Sequence, residues 1–194
     1  MVQPVRDRRD ELYAEYLAVP SNLRAEIIGG TLYVLPRPAP RHANATTVLG
    51  TELNAPFQRG RGGPGGWWIL FEPELQLDPK EPIVPDLAGW RVERMPELPE
   101  TAYFTIAPDW VCEVLSRSTE KIDRDDKLPY YAAHRVRHVW LLDPIEKRLE
   151  VHALDDGGRW RAVRIYEGDA TVRAEPFDAI ELDLSALWSV PRRG

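Results

Sequence analysis

The chain has 194 residues, a formal net charge of −6 and a sequence pI near 5.3. Hydrophobic residues make up 43% and charged residues 29%, as in ordinary globular domains, and no apolar run approaches the length of a membrane span. The acidic balance argues against a protein that binds nucleic acid tightly through a basic surface. Cys112 is the single cysteine, which excludes an internal disulfide, and the charged N-terminus is unlike a secretory signal, so we expect a cytoplasmic protein.

Arginines occur in local groups despite the acidic balance. We expect these groups to be solvated surface rather than a track for phosphates. They are Arg59/Arg61, Arg135/Arg137, Arg159/Arg161/Arg164 and Arg192/Arg193.

The first half of the sequence predicts two helices separated by a hairpin. Residues 10–18 form a short helical pattern that ends before a proline. Residues 24–28 and 31–35 are β-prone runs joined by two glycines, which is a strong hairpin signal. Residues 42–57 carry apolar side chains at a helical period. The glycine-rich segment 60–66 lacks the Gly-Lys-Ser/Thr ending of a P-loop, so we give it little weight as a phosphate site.

The second half predicts a mixed sheet with one helix inserted. The expected strands are 67–77, 83–90, 109–115, 136–143, 148–154, 160–166 and about 179–184. The helix precedes strand 136–143; Asp125 is its expected N-cap, and it ends near His134. The tail closes with a helical turn ending at Trp188. This order predicts a single mixed α/β (α+β) domain over residues 1–194.

Two carboxylates and one amine stand where a soluble domain would normally place apolar side chains. Asp86 and Glu113 lie inside short β-prone runs, and Lys127 follows on the expected helix. Alternate residues of a strand share a face, so two paired strands would bring both acids to the same side of the sheet. Carboxylates that close repel each other unless a divalent cation lies between them. The alternative is that each acid lies at a strand end in water, with Lys127 as an ordinary solvated residue.

The donor types favour a hard cation over zinc. Carboxylate oxygens suit Mg²⁺ or Mn²⁺, and the sequence has no cluster of His or Cys of the kind that zinc prefers. Two carboxylates and an amine are the minimum set for metal-assisted phosphodiester hydrolysis, in which Lys127 would offset developing charge. On their own, Glu26 and His42 are more simply a turn-flanking acid and a neighbour of a helix cap. Four aromatic residues are expected in the core: Trp110, Tyr130, Tyr131 and Trp140.

Several motifs occur together in an order that resembles a known family. They are Glu26-Ile27-Ile28-Gly29-Gly30-Thr31-Leu32, Pro36-Arg37-Pro38-Ala39-Pro40-Arg41-His42, Pro85-Asp86, Glu113-Val114-Leu115-Ser116-Arg117-Ser118-Thr119, Asp123, Lys127-Leu128-Pro129-Tyr130-Tyr131-Ala132 and Trp140-Leu141-Leu142-Asp143-Pro144. This pattern, over about residues 20–188, resembles the Uma-type family of restriction endonucleases in the PD-(D/E)xK nuclease superfamily. Its order and spacing are far more specific than any single motif.

The resemblance implies a restriction-endonuclease-like core of helix, three strands, helix and strand, with flanking β-hairpins. It implies DNA as the substrate, one or two Mg²⁺ ions in a cleft, and a homodimer, since two sites are needed to cut both strands. By position, Asp86 and Glu113 would be metal ligands and catalytic residues, and Lys127 the catalytic lysine. Glu26 and His42 would be accessory residues.

The sequence departs from the superfamily pattern at three positions. The superfamily lysine stands two residues after the acid, where this chain has Leu115, and the resemblance implies that the following helix supplies the amine instead. Arg117 stands where relatives often have proline. Arg135 stands where they usually have the glycine that ends the helix, a position that favours a left-handed backbone. Neither Arg117 nor Arg135 removes a catalytic group.

Three functions fit these residues. The favoured one is a Mg²⁺-dependent DNA endonuclease. The second is a non-catalytic binding or assembly module that keeps the nuclease scaffold, which would suit the acidic pI and the lack of a recognisable DNA-reading domain. The third is a metal-dependent phosphodiesterase that acts on small nucleotides. Mn²⁺ binding that depends on Asp86 separates the first from the second, and a comparison of oligonucleotides with plasmid separates the first from the third.

Overall fold

A computed structural model describes residues 7–189 of the chain. Both ends of the predicted 1–194 domain, with Arg192 and Arg193, lie outside the described residues. The elements are α1 (Arg8–Leu17), β1 (Arg24–Ile28), β2 (Thr31–Leu35), α2 (Pro40–Leu53), β3 (Trp67–Phe71), β4 (Leu75–Asp78), β5 (Glu81–Ile83), β6 (Leu87–Arg91), β7 (Trp110–Val114), α3 (Glu120–Ile122), α4 (Leu128–Ala133), β8 (His138–Asp143), β9 (Arg148–Leu154), β10 (Trp160–Glu167), β11 (Thr171–Val172), β12 (Leu182–Asp183) and α5 (Ser185–Trp188). π-Helical turns cover Asn54–Gln58 and Asp123–Lys127. None of the helices in this described part is long and apolar enough to cross a membrane.

A central sheet has the strand order β10-β9-β8-β7-β6-β3. β7 and β8 run parallel, and the other neighbours run antiparallel. A parallel pair needs a crossover connection, which α3, the π-turn and α4 supply. The order α2, β3, β6, β7, crossover helix and β8 is the predicted one of helix, three strands, helix and strand. The mixed α/β fold and the two predicted hairpins, β1–β2 and β9–β10, are therefore confirmed.

Both faces of the sheet are covered, and β7 shows how side chains are divided between them. Trp110, Cys112 and Val114 belong to the core on the α2 face, whereas Val111 and Leu115 belong to the core that includes α4. This alternation is the ordinary period of a strand buried on both sides. Glu113 therefore points toward the α4 side, where it is only 1% exposed. A charged group so deeply buried needs partners.

Two runs that the sequence predicts as continuous strands are interrupted. The predicted strand 67–77 is divided into β3 and β4, and the predicted strand 83–90 begins with the last residue of β5 and resumes only at β6. The breaks meet in space, because the Glu72 amide donates a hydrogen bond to the Asp86 carbonyl at 3.1 Å. Pro73 and Pro85 stand in the breaks, and neither has an N–H to continue a ladder. The prediction that Asp86 lies inside a strand is wrong, since it lies just before β6.

The crossover helix begins earlier than the sequence predicts. Asp125 is expected as its N-cap, but α3 starts at Glu120 and Asp125 lies inside the π-turn, so that prediction is wrong. The π-turn instead contains both Asp123 and Lys127, and such turns are frequent at functional sites. At the other end, Arg135 adopts the left-handed φ of +60° without the glycine that favours it.

The C-terminal part agrees with the sequence only in outline. The strand expected near 179–184 is reduced to β12, and its partner β11 was not predicted. The helical turn that ends at Trp188 is confirmed as α5. These short elements cover the α2 face through Val172, Leu182 and Leu187.

Candidate active site

The two predicted acids and the predicted lysine line one cavity of about 180 Å³. It lies at the end of the sheet where β6 begins and β7 ends, so that Asp86 and Glu113 come from neighbouring strand ends. His42, at the start of α2, lines the same cavity. Glu26, on β1, is fully buried beside Lys127. Other lining residues are Arg24, Arg37, Ser116, Ser118, Thr119 and Asp123.

Lys127 is held among three carboxylates. Its Nζ lies 3.2 Å from Glu113 Oε2, 3.1 Å from Glu26 Oε2 and 3.6 Å from Asp123 Oδ1. Burial alone would lower the pKa of Lys127, but the charges of Glu113, Glu26 and Asp123 outweigh it and raise the pKa. The cavity therefore contains a permanent ammonium group.

Glu113 uses both of its oxygens. Oε2 accepts from Lys127 at 3.2 Å, and Oε1 accepts from the Tyr131 hydroxyl of α4. Burial raises the pKa of Glu113 well above its ordinary value, and Asp123 and Asp86 add to that rise despite the attraction of Lys127. Burial also raises the pKa of Tyr131, so its hydroxyl stays protonated as a donor. Glu113 is thus the acid of this site that most readily holds a proton.

Both carboxylate oxygens of Asp86 are in contact with hydrogen-bond donors. Its Oδ1 accepts from Arg24 at 3.2 Å, and its Oδ2 accepts from the Val114 amide at 2.8 Å. His42 Nε2 lies 3.1 Å from Oδ2. Burial by itself would raise the pKa of Asp86, but the hydrogen bond from His42 and the charges of Lys127 and Arg24 hold it below its ordinary value. Asp86 is therefore an ionised carboxylate with a fixed orientation.

Negative charge exceeds positive charge in and around this cavity. Four buried carboxylates face two obligate cations, Arg24 and Lys127; the acids are Glu26, Asp86, Glu113 and Asp123. Burial raises the pKa of Asp123 as well as that of Glu113. Glu26 Oε2 is buried without a hydrogen-bond donor, although Lys127 Nζ lies 3.1 Å away and donates to Oε1. An excess of hard anionic oxygen is the environment that a divalent cation neutralises.

The donor set fits Mg²⁺ better than it fits a transition metal. Mg²⁺ is commonly bound by one or two carboxylates and keeps several waters, so the two acids predicted as ligands, Asp86 and Glu113, would be a sufficient protein contribution. Within residues 7–189, no three side chains of His, Cys, Asp or Glu are grouped as a complete metal-binding set. Any ion here would therefore take most of its ligands from solvent or substrate.

Three residues of the site, Arg24, Asp123 and Tyr131, are given no role in it by the sequence reasoning. Arg24 stands two positions before Glu26 on β1, and the strand period alone would place both on one face. Asp123 and Tyr131 stand four residues before and after Lys127, which is the spacing of helical neighbours. Tyr131 is buried as predicted, but its hydroxyl also serves Glu113.

A comparison with family models identifies the chain over most of its length. The model described as "Uma2: Putative restriction endonuclease" matches residues 11–185. The chain belongs to the Uma2 family. A search of curated proteins gives no significant match.

Solved structures share the fold of this Uma2 chain, and one of them aligns with most of it. It is described as the crystal structure of a putative nuclease belonging to DUF820 from Anabaena variabilis ATCC 29413. The two chains align with a TM-score of 0.71 over 91% of this chain and 96% of that one, at 21% sequence identity. At this identity the likeness concerns the fold, which is nuclease-like.

Proposed function

We propose that this Uma2 chain is a Mg²⁺-dependent endonuclease that hydrolyses phosphodiester bonds in DNA. The observation that carries the proposal is the ammonium of Lys127, protonated and buried, in the same cavity as Asp86 and Glu113. A structural salt bridge would not require four acids and an opening to solvent. Family membership supports the same reaction class.

Each residue has a role in this proposal. Asp86 and Glu113 would hold Mg²⁺, which when bound supplies Lewis-acid activation of the phosphate. Lys127 stabilises the negative charge that develops on the phosphate oxygens in the transition state. The Val114 amide and Tyr131 orient the two acids, as outer partners of metal ligands commonly do.

The remaining residues tune this arrangement. Arg24 and His42 keep Asp86 ionised, and Glu26 balances the ammonium of Lys127. Action as a homodimer and location in the cytoplasm also belong to the proposal.

A second candidate function is the non-catalytic module. The observation that favours it is the complete engagement of Asp86, whose two oxygens already receive hydrogen bonds from Arg24 and Val114. In such a module these ion pairs would be purely structural, and a divalent cation would not be needed.

Metal binding and cleavage of a plasmid test the proposal together. Asp86→Asn and Glu113→Gln keep the side-chain shapes, and Glu150→Gln is the matched control. Glu150 is another buried acid, 8% exposed and paired with Arg124 at 2.7 Å, but it does not line the cavity. We expect saturable Mn²⁺ binding by calorimetry in the wild type and the control, and loss of binding in the other two.

Cleavage should follow the same pattern. With Mg²⁺, the two site variants should cut plasmid at least about 100-fold more slowly than the wild type, and Glu150→Gln should cut normally. Absence of cleavage by the purified wild type with either Mg²⁺ or Mn²⁺ would reject the enzyme. Mn²⁺ binding that survives Asp86→Asn would favour the module.

A further inference from the structure

Phe71, the last residue of β3, is a large apolar side chain that is 49% exposed beside the acid cavity. It continues the row of Trp67 and Ile69, both of which are buried. The tip of its ring lies against Gly50 of α2, so closely that a Cβ at position 50 would be 2.1 Å from Phe71 Cζ. The ring is therefore anchored at its tip while about half of the side chain stays open to solvent.

A second cavity, of about 170 Å³, adjoins Phe71. Its walls include Thr46, Thr47 and Phe71, and it shares Pro38, His42 and Asp86 with the acid cavity. The two cavities are thus neighbouring parts of one surface, with the His42–Asp86 pair between them. A ligand that spans them would place one group among the acids and another against the aromatic ring.

The backbone at this junction is strained. Glu72, which follows Phe71, has a φ of +43°, a left-handed conformation that costs energy for a residue with a side chain. It is held by the hydrogen bond that its backbone N–H donates to the Asp86 carbonyl and by the Glu72–Arg24 ion pair at 3.4 Å. Strained residues of this kind cluster at ligand sites. Here the strain fixes where β3 ends and therefore where Phe71 stands relative to Asp86.

We propose that Phe71 is a stacking platform for one unpaired nucleobase of the strand whose phosphate lies in the acid cavity. The substrate class is then nucleic acid that is single-stranded next to the point of cleavage. This inference rests on the proposed function, because the acid cavity defines where the phosphate lies.

The chemistry of the second cavity suits a base better than another apolar group. A base offers an apolar face to the ring and polar edges to the exposed Thr47 hydroxyl, whereas the Thr46 hydroxyl already donates to the His42 carbonyl at 2.9 Å. Stacking on an aromatic side chain tolerates any base, so no sequence preference is required. Arg37, in the turn that leads into α2, is exposed and lines the acid cavity, as a flanking phosphate would require.

The test measures binding in EDTA, where the proposed hydrolysis does not occur. The probes are a fluorescein-labelled oligothymidine and the same strand with abasic sites, followed by anisotropy. We expect Phe71→Ala to weaken binding of oligothymidine by about 5- to 100-fold and Phe71→Trp to restore it. With the abasic strand, the difference between the wild type and Phe71→Ala should disappear. A strand carrying 5-iodouracil should cross-link to Phe71 on irradiation.

Ile165→Ala is the matched control, because Ile165 is 53% exposed on β10, at the opposite edge of the sheet. It should bind both probes like the wild type. Equal binding of the two probes by the wild type would overturn the platform, and so would an equal loss in Phe71→Ala and Ile165→Ala. Stacking without Mg²⁺-dependent cleavage would keep the platform and reject the nuclease. Mg²⁺-dependent cleavage together with unchanged binding in Phe71→Ala would keep the nuclease and reject the platform.

Discussion

The two ends of the β6–β7 pair are closed by the same device but have different surroundings. Asp86 stands just before β6 and accepts the amide of Val114, the last residue of β7, at 2.8 Å. Asp109 stands just before β7 and accepts the amide of Arg91, the last residue of β6, also at 2.8 Å. Each aspartate therefore precedes one strand of the pair and fixes the last residue of the other strand. An aspartate buried against a backbone amide is thus no evidence of catalysis by itself.

The two ends differ in how exposed the paired cation is and in which other charged side chains lie close to the aspartate. Asp109 pairs with Arg94, which is 45% exposed, whereas Asp86 pairs with Arg24, which is 15% exposed. The Asp86 end also contains the buried Lys127 and its three carboxylates, and a cavity opens there. Both ends share the hydrogen bond that the last amide of the neighbouring strand donates to an aspartate, which we call the strand clamp. The additional buried charges distinguish the Asp86 end as the candidate site.

Removing the cation at each end should have very different effects. Lys127→Met leaves Glu113 and Glu26 buried without their partner, and breaking such a pair costs about 3–5 kcal/mol. Arg94→Met removes a half-exposed cation, and such pairs contribute about 1 kcal/mol or less. Urea unfolding at neutral pH measures both. Equal losses would mean that the two ends are energetically alike.

Neutralising the two aspartates is the more direct comparison. The pKa of Asp86 is lowered in the folded protein, so its ionised form contributes stability that is present above its unfolded pKa. We expect Asp86→Asn to lower the free energy of unfolding by about 2–3 kcal/mol at pH 7, the range for buried hydrogen bonds to a charged group. Asp109→Asn should lower it by about 1 kcal/mol, because Arg94 is solvated. A larger loss at Asp109 would contradict this ranking.

Much of this arrangement could be predicted from local patterns. The strand period correctly predicts that Glu113 faces the same side as Val111 and Leu115, and β7 and β8 are clear as apolar runs. The assignment of Asp86, Glu113 and Lys127 as catalytic stays a prediction. The structure supports this prediction by placing the three side chains in one cavity.

What local patterns miss is contact between distant segments. The Arg24–Asp86 hydrogen bond joins residues 62 positions apart, and no period in the sequence encodes it. Asp125 was expected to cap a helix because acids commonly do so, but tertiary packing extends the helix to Glu120. Pro73 and Pro85 did carry a local signal for the breaks beside Asp86, which the apolar runs around them outweighed.

The effect expected at Glu113 has the opposite sign from that of Asp86. Burial raises the pKa of Glu113 in the folded protein. Its stabilising contribution is then complete below the unfolded pKa of about 4.3 and is lost as pH rises through the folded pKa. Metal-free wild type should therefore lose stability as pH rises from about 4.3 through the raised pKa of Glu113, by about 1.4 kcal/mol for each pH unit between the unfolded and folded pKa, and Glu113→Gln should flatten that loss.

The raised pKa of Glu113 also predicts how the stabilisation by Mg²⁺ should depend on pH. If Glu113 holds Mg²⁺ as proposed, the ion would compete with the proton on Glu113, so its stabilisation of the wild type should grow as pH rises and be absent in Glu113→Gln. Thermal unfolding with Mg²⁺ and with EDTA, at both ends of this pH range, measures the difference. Asp109→Asn should keep the full pH-dependent response to Mg²⁺, because Asp109 does not line the acid cavity. If Asp109→Asn lost that response as Glu113→Gln does, the strand clamp and not the acid cavity would control the ion.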